Sequence, residues 1–299
     1  MANLKEIRTR IASVASTRQI TSAMKMVAAA KLKKAQDTVI NFRPYAQKMQ
    51  EIMLSVIASL GKENDNVYTD IRDYRQVLIV IITSNRGLCG AFNSNVIKEA
   101  VQLAARKYEN YLAPVKVRYL AIGKKGYDVL RKRKLSLDEP NTKIIDYPTF
   151  ENTIELAKSL MTDFANERYD CIDIIYNEFV NAASQKVVCK QFLPFVSEEN
   201  DIGQGKNKGK LSRIHYIFEP SKEDIIRELI PQELRLTLFE ALLESIASEF
   251  GARMTSMHQA TDNASTLIQE LTLQYNKARQ AAITNEILEI VGGAEALKG

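Results

Sequence analysis

The segment Asn85, Arg86, Gly87, Leu88, Cys89 and Gly90 has the residue types that most invite chemistry in this chain. It follows the wholly apolar run Val77 to Ile82 and precedes a helical stretch. A glycine-rich turn in that position can cradle phosphate on the free amides of a helix N-terminus. The rest of such a loop is missing, because neither G-x-x-x-x-G-K-[ST] nor G-x-G-x-x-G occurs. Gly87 and Gly90 therefore read as permitting a tight turn. Cys89 has no base beside it in sequence, which suits a buried or turn cysteine better than a nucleophile. Cys89, Cys171 and Cys189 form no C-x-x-C pair, and His215 and His258 fall in separate elements, so neither a zinc site nor a disulfide framework is indicated. No catalytic residue, cofactor or metal is expected.

The elements around this turn are distributed unevenly. Residues 61–221 hold 13 of the chain's 19 glycines and prolines, whereas Met1 to Arg43 and Ala252 to Val291 contain none. Forty residues without a breaker exceed an ordinary globular helix and suggest a coiled coil or a membrane span. Polar residues every few positions exclude the span, and the longest apolar run, Val77 to Ile82, is too short to cross a bilayer. On the first arm Ile7, Ile11, Val14, Thr21, Met24, Ala28, Leu32 and Ala35 recur at helical spacing and draw one stripe. The Arg-rich opening is amphipathic like a mitochondrial presequence, but the same spacing continues past residue 40, so it reads as the first turns of a working helix. Pro44 is expected to bend or interrupt that helix, which resumes through Met49, Ile52, Val56 and Leu60. Its length would be on the order of 80 Å. The second arm opens near Ser221, a plausible N-cap, with kinks expected at Pro231 and Gly251. Leu267, Leu271, Gln274, Ala278, Ala281, Ile283, Ile287 and Ile290 continue its stripe.

The middle alternates strands and helices. Strands are expected at Val77–Ile82, Val115–Ile122, Ile144–Ile145, Cys171–Tyr176, Lys186–Leu193 and Ile214–Phe218, with helices at Asn95–Tyr108 and Ile154–Asn166. That order argues for a mostly parallel, Rossmann-like sheet. The fold class read from the residues is thus α/β. A long antiparallel coiled coil of the terminal helices (1–60 and 221–299) carries an inserted Rossmann-like domain (61–220). Pairing of the two arms within one chain is more economical than a dimeric coiled coil.

Charge supports that pairing. Residues 1–50 carry ten Lys or Arg against Glu6 and Asp37, a balance of +8, while residues 222–299 carry seven basic and twelve acidic side chains, a balance of −5. Each exposed ion pair would add only ~0–1 kcal/mol. The positive surplus on the first helix still favours an acidic neighbour. Nucleic acid would also suit a basic helix, yet no recognised motif and no interleaved aromatics accompany it. An enzyme would show a substrate-dependent rate, and a nucleic-acid binder a salt-sensitive affinity.

Several motifs in order go further. Ile283, Thr284, Glu286, Glu289, Gly293, Ala294 and Ala296 form a C-terminal signature, preceded by the run from Tyr275 to Gln280. Ile7-Arg8, Ile11 to Val14, Ile20-Thr21, Ala23 to Lys31, Arg43 to Ala46 and Arg86 to Gly90 complete the set. On these the chain resembles the γ subunits of F-type ATP synthases over residues 1–296. The resemblance implies a non-catalytic rotor shaft that couples rotation of a membrane c ring, driven by protons, to ATP synthesis or hydrolysis at the β-subunit sites. It implies α, β and ε subunits and the c ring as partners, with no nucleic acid and no transmembrane segment of its own. It also implies a peripheral position on the cytoplasmic face of a bacterial plasma membrane. Carried over by position, Arg279, Gln280, Thr284, Glu286, Met24 and Lys25 are the candidate β-subunit contacts. Arg43, Tyr45, Gly203, Lys206 and Lys208 are the candidate contacts to the c ring or ε. The closely spaced cysteine pair of chloroplast relatives is absent, so thiol regulation of that kind is not expected.

Overall fold

The computed structural model describes residues 4–60, 66–108, 114–195 and 222–296. The elements run α1 (Leu4–Leu60), a 3-10 turn (Val67–Thr69), β1 (Gln76–Ile82), α2 (Phe92–Leu103, extended by a π turn, Ala104–Tyr108), β2 (Lys116–Ile122), α3 (Lys124–Lys132), α4 (Lys143–Asp146), α5 (Phe150–Ala165), β3 (Cys171–Phe179), β4 (Gln185–Leu193) and α6 (Lys222–Ala296). The chain divides into two compact units, and both long helices contribute to each: Met1–Ala29 with Arg253–Gly299, and Ala30–Ala252.

In the first unit the expected stripe is present. Ile7, Thr21 and Ala28 are buried on α1, and Ile11, Val14 and Met24 are half-buried beside them. Across from them α6 buries Met257, Ala264 and Leu271, one residue per heptad. Thr261 Oγ1 donates to Thr21 Oγ1 at 2.9 Å, and Lys25 Nζ lies 3.3 Å from His258 Nδ1. Residue number rises on one helix as it falls on the other, so the pair is antiparallel.

The second unit is built on a four-stranded sheet ordered β2-β1-β3-β4. β1 pairs parallel with β2 and β3, and β3 pairs antiparallel with β4. Six of the seven residues of β1 are buried, as expected for a central strand covered on both faces. One face packs Leu78, Val80 and Ile82 against α5 and α6, through Leu160, Phe164, Ile230, Leu234 and Leu238. The other packs Val77, Ile79 and Ile81 against α2 through Val96, Ile97 and Ala100. Met53 and Val56 of α1 join the first of these cores, which anchors that helix.

The structure departs from the sequence reading at several elements. Pro44 does not interrupt α1, which continues for 57 residues. Its ring is exposed, and Val39 and Phe42 just before it already pack on α6, so the missing backbone donor falls on the solvent side. Helix α6 likewise runs unbroken for 75 residues through Pro231 and Gly251, where the sequence reading expects kinks. Ile144 and Ile145 form a helical turn, α4, rather than a strand; Ile144 is a core residue whose amide meets Asn141 Oδ1 at 3.4 Å. The helix read from Asn95 begins at Phe92 and ends in the π turn. Helix α3 was hidden by Gly123 and Gly126. The strand expected at Ile214–Phe218 and the cap at Ser221 lie outside the described residues.

Gly123 shows how tightly the β2–α3 corner is made. It stands at φ 109, and a Cβ there would lie 2.1 Å from the Thr83 carbonyl oxygen. Thr83 in turn holds the corner, its hydroxyl meeting Ile122 O at 3.2 Å and accepting the Gly126 amide at 3.0 Å. Gly123→Ala is expected to lower unfolding free energy by about 3 kcal/mol or more, through backbone strain and overpacking. The check is the denaturant midpoint beside that of Gly87→Ala, whose nearest non-neighbouring atom is Lys125 Cε at 3.7 Å. Equal midpoints would contradict this account of the corner.

Candidate functional site

The glycine-rich turn after β1 is held by its own polar groups. Leu88 and Gly90 take positive φ, 65° and 58°. The Ser84 amide donates to Asn93 Oδ1 at 2.9 Å, and Asn93 Nδ2 donates to Ser84 Oγ at 2.8 Å and to Cys89 Sγ at 3.2 Å. Asn85 accepts the Lys124 amide at 3.0 Å and donates to Thr142 O and to Asp146 Oδ2, each at 2.9 Å. Cys89 is buried against Phe92 and Ala252. The turn thus ties β1, α2, α3 and α4 together through the side chains of Asn85 and Asn93. Among the described residues no group of His, Cys, Asp or Glu is arranged to hold a metal.

In doubly wound sheets, ligands sit beyond the carboxyl ends of the strands where the connections diverge. That place lies here between β1 and β3, and α6 fills it. Ser248 Oγ donates to Asn177 O at 3.0 Å, and Asn177 Nδ2 donates to Phe92 O at 3.3 Å. One helical turn earlier, Glu244 makes a larger junction. Its Oε1 accepts Arg43 Nε at 3.1 Å and Nη2 at 2.8 Å, while its Oε2 accepts the Phe179 amide at 2.8 Å. Arg43 Nη2 also reaches Phe179 O at 3.3 Å. A nucleotide-type crevice is therefore replaced by packing of α6.

A second polar cluster surrounds Asp173, which is fully buried in β3. Lys107 Nζ lies 3.1 and 3.0 Å from its two oxygens and 3.3 Å from Gln191 Oε1, and Tyr108 OH donates to Oδ2 at 2.5 Å. Burial opposes the Lys107 charge, but Cys171 and Asp173 outweigh it and hold its pKa above the ordinary lysine range. Burial, then the Asp173 charge, pushes the Cys171 thiol up to about 12. Such a thiol is protonated at neutral pH and inert as a nucleophile.

Open surface also lies on the long helices. Beyond Leu271 no described residue of α6 is buried, through Ala294. Comparison with known proteins bears on that open surface. A family model described as ATP synthase matches residues 3–297. The ATP synthase gamma chain of Flavobacterium psychrophilum is 54% identical over 299 residues, covering all of both chains. This chain belongs to the ATP synthase gamma-chain family. The family's Cytophaga hutchinsonii member is 47% identical, over 99% of each chain. Among solved structures, a chain of the Euglena gracilis mitochondrial ATP synthase (OSCP/F1/c-ring, rotational state 3) is similar with a TM-score of 0.64 and 25% identity, covering 98% of this chain and 94% of that one. A chain of the central stalk and c ring of the Tetrahymena thermophila mitochondrial ATP synthase has a TM-score of 0.57 and 29% identity, over 81% and 99% of the two chains.

The positions singled out in the sequence separate into four groups. Arg279, Gln280, Thr284 and Glu286 are all exposed on α6, and Thr284 Oγ1 donates back to Gln280 O at 2.9 Å. Around them Ile283, Ile287, Leu288, Ile290 and Val291 are exposed as well, so the later part of the expected stripe is not covered by this chain. Met24 and Lys25 are half-buried at the α1–α6 seam, Lys25 beside His258. Tyr45 is exposed, whereas Arg43 is engaged with Glu244. Gly203, Lys206 and Lys208 lie outside the described residues.

Sequence reading missed the Glu244 and Asp173 junctions. Asp173 had a signal, a lone charge within the apolar run Cys171 to Ile175; Glu244, on a helix rich in glutamate, had none. Glu244→Ala is expected to cost about 2–3 kcal/mol, less than a fully buried pair because the Arg43 side chain is 41% exposed. Arg43→Gln should cost at least as much, because it leaves a carboxylate only 6% exposed without its cation. Thermal unfolding of both variants is the check, and a clearly smaller loss for Arg43→Gln would show that the Phe179 amide alone holds the carboxylate.

Proposed function

We propose that this chain is the central rotor shaft of a proton-transporting F-type ATP synthase, coupling c-ring rotation to ATP synthesis or hydrolysis at the β-subunit sites. The observation that carries the reading is the α1–α6 pair, a packed antiparallel seam from which α6 continues uncovered past Leu271, in a chain of the gamma family. A seam with heptad packing transmits rotation because its side chains interlock. Rotation biases a β site only if the shaft contacts the site's states unequally. Inverting a preference from 1:99 to 99:1 takes about 5.5 kcal/mol of differential contact.

The exposed stretch of α6 offers the means. Arg279 and Glu286 present opposite charges for pairing, Gln280 and Thr284 present hydrogen-bonding groups, and Ile283, Ile287 and Ile290 present an apolar surface. Met24 and Lys25 extend the contact set on α1. Toward the membrane, the c ring and ε meet Tyr45, the exposed side of Arg43, and the segment containing Gly203, Lys206 and Lys208. The chain is non-catalytic and binds no cofactor; hydrolysis belongs to the β sites. Among the described residues no helix is long and apolar enough to cross a membrane, in keeping with a peripheral subunit. Its bacterial relatives support a place on the cytoplasmic face of the plasma membrane.

The purified chain should release no phosphate from ATP, and hydrolysis should appear on reconstitution with α and β subunits. Activity that stays with the isolated chain through further purification would overturn the non-catalytic assignment. A cysteine placed at Lys25 and oxidised to a facing β cysteine should stop multisite hydrolysis, with recovery on reduction; full turnover at near-complete cross-linking would make the chain a static scaffold.

The triple variant Arg279→Ala, Thr284→Ala and Glu286→Ala removes exposed groups only. It should shift stability by about 0.5 kcal/mol or less per site, yet lower ATP synthesis by the assembled complex severalfold. Circular dichroism and synthesis rates measured together separate the two effects, and normal synthesis would show that these side chains are dispensable.

A further inference from the structure

Helix α3 ends in a run of cations that the rotor reading does not use. Arg131, Lys132, Arg133 and Lys134 are consecutive and exposed. The negative end of a helix dipole favours a cation or two in the last turn. This run goes past the helix: Arg133 occupies the C-cap, and Lys134 follows at φ 57. None of the four side chains meets a carboxylate among the described residues. The nearby Asp138 is already engaged by Arg118 and by the Tyr169 hydroxyl. With Lys124 and Lys125, residues 124–134 hold six cations against one acid, Asp128.

We propose that Arg131–Lys134 is a docking patch for anionic phospholipid headgroups at the membrane surface. The proposal rests on the reading of this chain as a peripheral subunit of a membrane complex. Protein interfaces concentrate their energy in buried aromatic or apolar anchors. Here the adjoining Leu130 is buried in the chain's own core, and the one exposed apolar neighbour, Val129, is a small side chain 36% exposed, short of an aromatic or large apolar anchor. Single-stranded nucleic acid calls for exposed aromatic platforms, which α3 also lacks, its Tyr127 being half-buried. Long, unpaired, flexible cations without an anchor match a diffuse array of headgroups, where each added cation strengthens adhesion and salt weakens it.

The test is flotation of the full chain with vesicles of mixed phosphatidylglycerol and phosphatidylcholine, against pure phosphatidylcholine vesicles. The variant R131Q/K132Q/R133Q/K134Q should bind the anionic vesicles at least about tenfold more weakly. A variant with the same charge change on α1, R8Q/R18Q/K33Q/K34Q, should stay within about twofold of the parent chain. Added salt should release the parent chain, and neutral vesicles should capture neither. Equal weakening by both variants would mean a whole-chain charge effect and would overturn the patch, as would absence of binding to anionic vesicles. If vesicles do not distinguish the patch variant while the assembled α and β subunits do, the patch serves a protein and the lipid assignment falls. Co-purification with α and β subunits is scored separately: its loss in the parent chain would sink the rotor reading, whereas intact assembly with indifferent vesicles would sink the patch alone.

Discussion

The Glu244 carboxylate, only 6% exposed, is where three distant segments are held in one geometry. Arg43 comes from α1, 201 residues away, and the Phe179 backbone from the end of β3, 65 residues away. Both oxygens of one side chain are used, so the junction fixes the rotation of α6 as well as its distance. Ser248, one turn later, repeats the anchorage on Asn177, and Gly251 allows α6 to approach Ala182 so closely that a Cβ would lie 3.1 Å from its carbonyl oxygen. Positions 244, 248 and 251 share one helix face. An apolar seam alone tolerates rolling, whereas this face admits one angular setting.

The same interactions explain why a Rossmann-like sheet here need not be a nucleotide site. The fold supplies the crevice, but its chemistry depends on what lines it. Asn177, Ser248 and Phe92 close the divergence between β1 and β3 with protein–protein hydrogen bonds and apolar packing. The sheet acts instead as a mount for two helices, with α1 entering its core through Met53 and Val56 and α6 through Ile230, Leu234 and Leu238.

Much of this was legible in the residues. Helical spacing marked both long helices, since Ile7, Thr21, Ala28 and Leu32 repeat a pattern that survives any tertiary detail. The uniform apolarity of β1 marked a central strand. Local signals failed where the outcome is decided by neighbours far away in sequence. Pro44 reads as a breaker, yet packing on both sides of it keeps α1 intact. Ile144 and Ile145 are β-branched, yet a core contact draws them into a turn of helix. Gly126 weakens the helical signal of α3, although its missing side chain is what lets Thr83 approach. The contact surface proposed on α6 rests on motif resemblance alone, because exposed polar residues on a helix carry no periodic signature of a partner.

The antiparallel seam has a temporal consequence. Thr21 and Lys25 leave the ribosome early, but Thr261 and His258 are 240 and 233 positions further along. At elongation speeds of roughly 5–20 residues per second, the first helix waits about 10–50 s for its mate. Throughout that interval its apolar stripe, flanked by cationic side chains, stands exposed to the crowded cell. The sheet between the two arms can fold in the meantime, but it cannot shelter the leading segment. The seam therefore closes only after nearly the whole chain has been made, so its formation is a late, long-range event.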